Sequence, residues 1–219
     1  MVKKVILITL LLINNTFADC INDDCKIDPT NNHVPDFLFK INSACTYETA
    51  ACQEQILSVN RCIENGETEE QAKENCTIGK KISLNKTFKL QNITTGQFEN
   101  KLFSAEFLSK ILNSTIIEVE PGNYQSTRKV LGYPDITNEL SIRKNKDNQY
   151  EIIARNYNSA FVFTKINLVL STDISGQKYL DIKSSTYLKN SVIKKIPFAE
   201  SIIKSGIHAT FEKLEGEIN

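Results

Sequence analysis

Cysteine and histidine are the residues here whose chemistry depends most on spacing. Cys20, Cys25, Cys45, Cys52, Cys62 and Cys76 are separated by 4, 19, 6, 9 and 13 residues. A structural zinc site draws on close cysteine pairs such as CxxC, and no interval here supplies one. The two histidines are His33 and His208, so a Ser-His-Asp or Cys-His arrangement has to use one of them. His33 sits in a loop rich in Pro and Asn, and His208 lies off the apolar stripe of its helix, so both read as exposed. HExxH, GxSxG and GxGxxG do not occur. The chain has 26 acidic residues, but nothing singles out a working pair, and Glu118 and Glu120 read as solvated. The sequence therefore points to no catalytic residue, no metal site and no cofactor.

The cysteines read instead as staples. "MVKK" is a basic start, "VILITLLLI" is an apolar run of signal-peptide length, and Thr16 and Ala18 have the small-residue spacing of a cleavage site. Residues 1–18 are expected to be a signal peptide, placing the chain outside or in the secretory lumen. No second apolar run is long enough to span a bilayer. In that compartment six cysteines imply three disulfides. With residues 46–64 as one helix, Cys45 and Cys62 would lie roughly 25 Å apart at about 1.5 Å per residue. A bridge needs Cα atoms within about 7 Å, which excludes that pair. Folding at Gly66 favours Cys52–Cys76, leaving Cys62 to join Cys20 or Cys25 and Cys45 to take the other. Asn85, Asn92 and Asn113 each begin a glycosylation sequon.

Loss of residues 1–18 takes the formal charge from 0 to −2, and no concentrated basic surface is visible, which argues against nucleic acid. No cysteine follows Cys76, which marks a boundary near Lys80 between a cysteine-rich helical segment (19–79) and a main domain (80–219).

In the first segment, Cys52, Ile56, Val59 and Ile63 fall on one face of a helix starting near Thr46. Asn65-Gly66 stops that helix. Thr68 and Gln71 then form a capping box for a second one, which has only Ala72 and Cys76 on its inner face. In the main domain "ISLNKTFKL" alternates as a strand, "GQFENKLFSAEFLSKIL" has helical spacing with a restart at Ser104, and six strand-like stretches follow between turn residues. Ala160, Val162, Ile166, Leu168 and Leu170 share one strand face, and Leu180, Ile182 and Leu188 another. The chain ends in an amphipathic helix whose apolar positions are Ala199, Ile203, Ile207, Phe211, Leu214 and Ile218. Gly206 is assigned to its inward side. The fold class is α+β: a curved antiparallel sheet gripping a long C-terminal helix, in the order β–αα–β6–α, preceded by a small disulfide-bonded helical hairpin.

That order resembles the START-like or helix-grip superfamily, which includes Bet v 1-like and polyketide cyclase/dehydrase-like domains. "FSAEFLSKILNSTIIEVEPGNYQSTRKV" is similar to the family's short helix, strand, Gly turn and strand, and "FAESIIKSGIHATFEKLEGEI" to its closing helix. The likeness covers about residues 80–219 and leaves out the cysteine segment. It implies a cavity for a lipid or another apolar small molecule between sheet and helix. The wall would come from Ile142, Ile152, Val162, Ile166, Leu180 and Ile182, faced by Ile203, Ile207 and Phe211. One alternative is a non-catalytic structural or cell-surface interaction protein with a filled core and partners the sequence does not name. Another is a cyclase-like enzyme working through Tyr124, Arg128 or Arg155.

Overall fold

The computed structural model describes residues 40–41, 44–91, 93–128, 136–156 and 161–219. The expected signal peptide, Cys20, Cys25, His33, Asn92 and Ala160 lie outside the described residues.

The expected order is present. After helices α1 (Thr49–Glu64) and α2 (Glu69–Asn75) come β1 (Ile78–Leu90), α3 (Thr95–Leu102) and α4 (Ala105–Leu112). Six strands follow: β2 (Thr115–Glu120), β3 (Asn123–Arg128), β4 (Ile136–Lys146), β5 (Gln149–Asn156), β6 (Phe161–Thr172) and β7 (Lys178–Lys189). A short helix α5 (Asn190–Lys195), which the pattern did not suggest, precedes the long helix α6 (Ala199–Ile218). The strands form one antiparallel sheet in the order β1-β7-β6-β5-β4-β3-β2. This is the helix-grip arrangement: a curved seven-stranded sheet with α6 against its inner face.

Local chemistry explains the breaks. Thr68 and Thr94 each cap a helix through a reciprocal box with the glutamine three residues on, and Ser104 caps α4. Gly122, at φ +77°, turns β2 into β3; a Cβ there would stand 2.7 Å from the Ile142 carbonyl oxygen, so the close approach admits only glycine.

The cysteine hairpin differs from expectation in its start and its bridges. Helix α1 begins at Thr49, three residues later than expected, because Glu48 is extended at its N-cap. The loop ahead of it folds back over the first turn, and Cys45 is bridged to Cys52 with Cα atoms 5.7 Å apart. The second bridge is Cys62–Cys76, with Cα atoms 6.6 Å apart. The favoured Cys52–Cys76 pair, and with it the links from Cys62 and Cys45 to the N-terminal loop, is therefore corrected. The 65–68 connection shifts α2 along α1, so Cys76 sits at the level of Ser58 and Cys62 instead of Ile56: Ser58 Oγ donates to the Cys76 carbonyl at 2.9 Å.

The hairpin is also packed on the sheet. Tyr47 and Ala51 meet Phe163 and Tyr187 on the outer face, with Phe163 and Tyr187 stacked at 4.6 Å. Polar side chains of α1 carry the joints to the sheet. Glu54 accepts from Arg155 Nε at 2.7 Å, and Gln55 Oε1 accepts from the Ile78 backbone N–H at 2.9 Å. Both Glu54 and Gln55 are buried, so α1 has two contact faces: Val59 and Cys62 toward α2, and Ala51 and Glu54 toward the sheet. Two disulfides and a hairpin of this kind fit an oxidising compartment.

Candidate functional site

The register lays out the inner face in rows. One row runs Phe88, Leu180, Leu170; the next, Lys86, Ile182, Leu168, Tyr150, Lys144. Then come Leu84, Ser184, Ile166, Ile152, Ile142, and finally Ile82, Thr186, Thr164, Ala154, Leu140, Tyr124.

The first two rows are closed. Phe88, Leu168, Leu170, Leu180, Ile182 and Tyr150 are buried together with Phe98, Leu102, Phe107, Leu108 and Ile111 of α3 and α4. The C-terminal half of α6 inserts Phe211, 3% exposed, and Ile218 into the same cluster. Phe98 leans on Tyr150 with ring centres 5.5 Å apart. The next two rows are looser at the middle of the sheet. Ile152, Ala154 and Ile166 are only half-buried although they sit on central strands and face the helix side. On α6, Ile203 and Ile207 are half-buried too, and of the two Ile207 packs against the same core cluster. The backbone of α6 approaches β1 and α4 most closely, and Lys80 and Lys86 of β1 reach Glu200 and Glu215 on the helix. The helix is thus pinned along one edge and at its C-terminal end, and lies less tightly over the central strands.

Polar groups on this wall are few and neutral. Thr164 and Thr186 share a hydroxyl–hydroxyl hydrogen bond of 3.1 Å. Ser184, 2% exposed, has a buried Oγ with no hydrogen-bond partner. A buried hydroxyl without a partner is destabilising by about 1–3 kcal/mol; the hydroxyls of Ser141, Tyr150 and Tyr187 share this condition elsewhere in the sheet.

The nine expected wall residues therefore separate. Ile142, Leu180, Ile182 and Phe211 belong to the packed core. Ile152, Ile166 and Ile207 border the looser region, and Ile203 lies further along the helix, outside the core cluster. Val162 is a correction. A bulge between Phe161 and Phe163 reverses the alternation, and Val162 packs with Ala51, Phe163 and Tyr187 on the outer face. Gly206 is corrected as well: it is exposed, and a Cβ there would meet open space. Sequence reasoning missed Ser184 and Ala154. Their period-2 positions place them on the inner face, but neither residue type announces a pocket.

The polar trio suggested for cyclase chemistry is not brought together. Arg155 lies on the outer face, bound to Glu54. Tyr124 Oη donates to the Phe103 carbonyl at 2.8 Å, and burial, with the Glu118 charge behind it, pushes its phenol up to about 12. Arg128 ends β3 on the inner side, half-buried. An open cleft of about 330 Å³ lies elsewhere, between α3, α4 and the end of α6, lined by Lys101, Ser104, Phe107, Lys110 and Glu217 among others. Among the described residues, Cys62, Glu67 and Cys76 hold potential metal-ligand atoms within 4.8 Å of one another, but the two sulfurs are joined in the bridge.

No protein-family model matches the chain, and no curated protein matches it. Solved structures resemble it in fold. A START superfamily protein from Mycobacterium smegmatis aligns at TM-score 0.48 and 10% identity, covering 62% of this chain and 96% of that one. Ara h 8.0201 aligns at 0.47 and 12%, covering 64% and 98%. The di-domain ARO/CYC StfQ from the steffimycin biosynthetic pathway aligns at 0.48 and 5%, covering 63% and 50%. Likeness at this level concerns chain architecture; ligand and activity have to be argued from this chain's own residues.

Proposed function

We propose that the chain binds an uncharged, largely apolar small molecule between the sheet and α6. The observation that supports this is the half-buried apolar wall of Ile152, Ala154 and Ile166 at the centre of an otherwise packed inner face, with Ile207 of α6 half-buried against the same cluster. Interior positions on central strands are ordinarily closed by a helix, since each buried CH₂ contributes about 0.8 kcal/mol. Here the helix is held at one edge and one end instead. A neutral ligand suits the wall because Lys80, Lys86 and Lys144 of this face are already matched by glutamates, Glu200 and Glu215 of α6 and Glu99 of α3. Ser184 offers the wall a single hydrogen-bonding group beside the Thr164–Thr186 pair.

We place this binding module in the secretory route. Residues 1–18 would be removed after Ala18, residues 19–79 would act as a stapled cover on the outer face of the 80–219 domain, and glycans would be attached at Asn85 and Asn113. Both asparagines are exposed, Asn85 on the edge strand β1 and Asn113 at the end of α4. The test is organic extraction of protein secreted by a eukaryotic host, followed by mass spectrometry. A stoichiometric apolar compound is expected. If none is recovered, and an alkyl alcohol such as dodecanol also fails to bind, the filled-core alternative replaces this reading. That alternative draws on the four expected wall residues that are fully packed, Ile142, Leu180, Ile182 and Phe211.

A further inference from the structure

The link between α5 and α6 breaks two local rules at one residue. Ile196, Pro197, Phe198 and Ala199 form a tight turn in which the Ala199 N–H donates to the Ile196 carbonyl at 3.3 Å. Phe198 sits at φ 62°, ψ 17°. Proline in the second position and positive φ in the third define a type II turn, whose third residue is ordinarily Gly or Asn. A side chain with a Cβ is strained there, and a bulky one more so. Phe198 also holds its ring out to solvent, 81% exposed. Glycine would serve the fold better on both counts, so a reason for phenylalanine has to be sought outside the fold. The turn is firmly mounted. Ala199 and Val192 are buried against Ile196, and Lys194 Nζ donates to Glu74 of α2 at 2.7 Å.

The surroundings are basic. Lys194 and Lys195 precede the turn, Lys204 follows it and Lys80 lies across from it. Four lysines stand against Glu74 and Glu200. Lys195, Pro197 and Phe198 are all exposed. A specific protein interface buries about 800 Å² on each partner, far more than one ring and a proline turn present. An aromatic tip with lysines around it suits the headgroup region of an anionic bilayer, where the ring is covered and the ammonium groups meet phosphate.

We propose that the Ile196–Ala199 turn docks this protein on anionic lipid surfaces, with Phe198 inserted among the headgroups. The inference is independent of any ligand between sheet and helix.

The sequence contains no tryptophan, so Phe198→Trp makes a single reporter. Its emission should shift to the blue and be quenched by brominated lipid on vesicles of phosphatidylcholine with about one part in three of phosphatidylserine. Phosphatidylcholine alone should have much less effect. In co-sedimentation, Phe198→Gly should lower partitioning at least about ten-fold while leaving the melting temperature equal to or above that of the parent, since glycine relaxes the turn. Lys195→Glu should lower partitioning by about five-fold or more, and added salt should weaken it further. Emission that stays unshifted on both vesicle types, or Phe198→Gly protein that sediments like the parent, overturns the proposal. Equal binding to both lipid compositions also overturns it, because the lysines then contribute nothing.

Discussion

Replacing Ala154 with leucine distinguishes an open wall from a filled one by the sign of the stability change. Ala154 lies on β5 at the centre of the sheet, faces α6, and has Leu140 and Thr164 as cross-strand neighbours. Leucine adds three carbons. Full burial of those carbons would contribute about 2.4 kcal/mol at about 0.8 kcal/mol each. Because the position is half-buried, about half of that is realised, and the variant should gain about 1 kcal/mol. If the inner face were packed to ordinary interior density, the same three carbons would have to displace neighbours and cost about 1–3 kcal/mol. The two outcomes differ by at least about 2 kcal/mol. Urea unfolding measures this directly, as a change of midpoint at unchanged slope. The added side chain should also compete with ligand, so dodecanol affinity should fall at least about ten-fold. A stability lowered by about 1 kcal/mol or more, with dodecanol binding unaltered, refutes the reasoning, because the space would then not be where the register puts it.

Two further expectations concern the hairpin and the residue beneath it. Peptide mapping of the oxidised protein should recover Cys45–Cys52 and Cys62–Cys76, and a Cys52–Cys76 peptide would contradict the placement of α2. Converting Cys62 and Cys76 together to serine opens a loop with a sequence separation of 14, which should lower stability by about 3 kcal/mol in chemical denaturation. Lys189 is buried at the end of β7, and burial pushes its amine down to about 8, with Glu67 opposing and Arg61 adding to the fall. The folded value is below the ordinary 10.5, so the unfolded chain binds more protons between about pH 8 and 10.5, and stability rises with pH across that window. Lys189→Met should remove this rise, with a difference from the parent on the order of 3 kcal/mol at most below pH 8 that shrinks toward pH 10.5. Denaturation midpoints measured from pH 6 to 10.5 that stay parallel for the two proteins would refute it.

Much of the architecture was legible because it rests on period and punctuation. The strand alternation of "ISLNKTFKL" and "KYLDIKSSTYLK", the capping box at Thr68, the restart at Ser104 and the stripe from Ala199 to Ile218 are local signals, and the structure follows each. The bridges were less legible. Pairing depends on where a helix starts and how far a four-residue connection slides α2 along α1, and a shift of one turn exchanges Cys52 for Cys62 as the partner of Cys76. Val162 was misassigned for a similar reason. A single bulge reverses which face a side chain takes, and nothing in "SAFVFTK" marks where the extra residue falls. The burial of Glu54 and Gln55 has no local signal, because the partners that bury them, Arg155 and the Ile78 backbone, are far away in the chain.

The sequence by itself determined the order of elements, the apolar faces and the restriction of cysteine to one end. These follow from side-chain periodicity and from residues whose backbone preferences act on their immediate neighbours. Only the tertiary structure decided that the hairpin lies on the outer face, that Phe211 closes one half of the interior while Ile203 leaves the other half loose, and that Ser184 is left without a partner. Those outcomes depend on how far apart two packed elements come to rest. That distance is set by every side chain between them at once, so no stretch of the chain carries it alone.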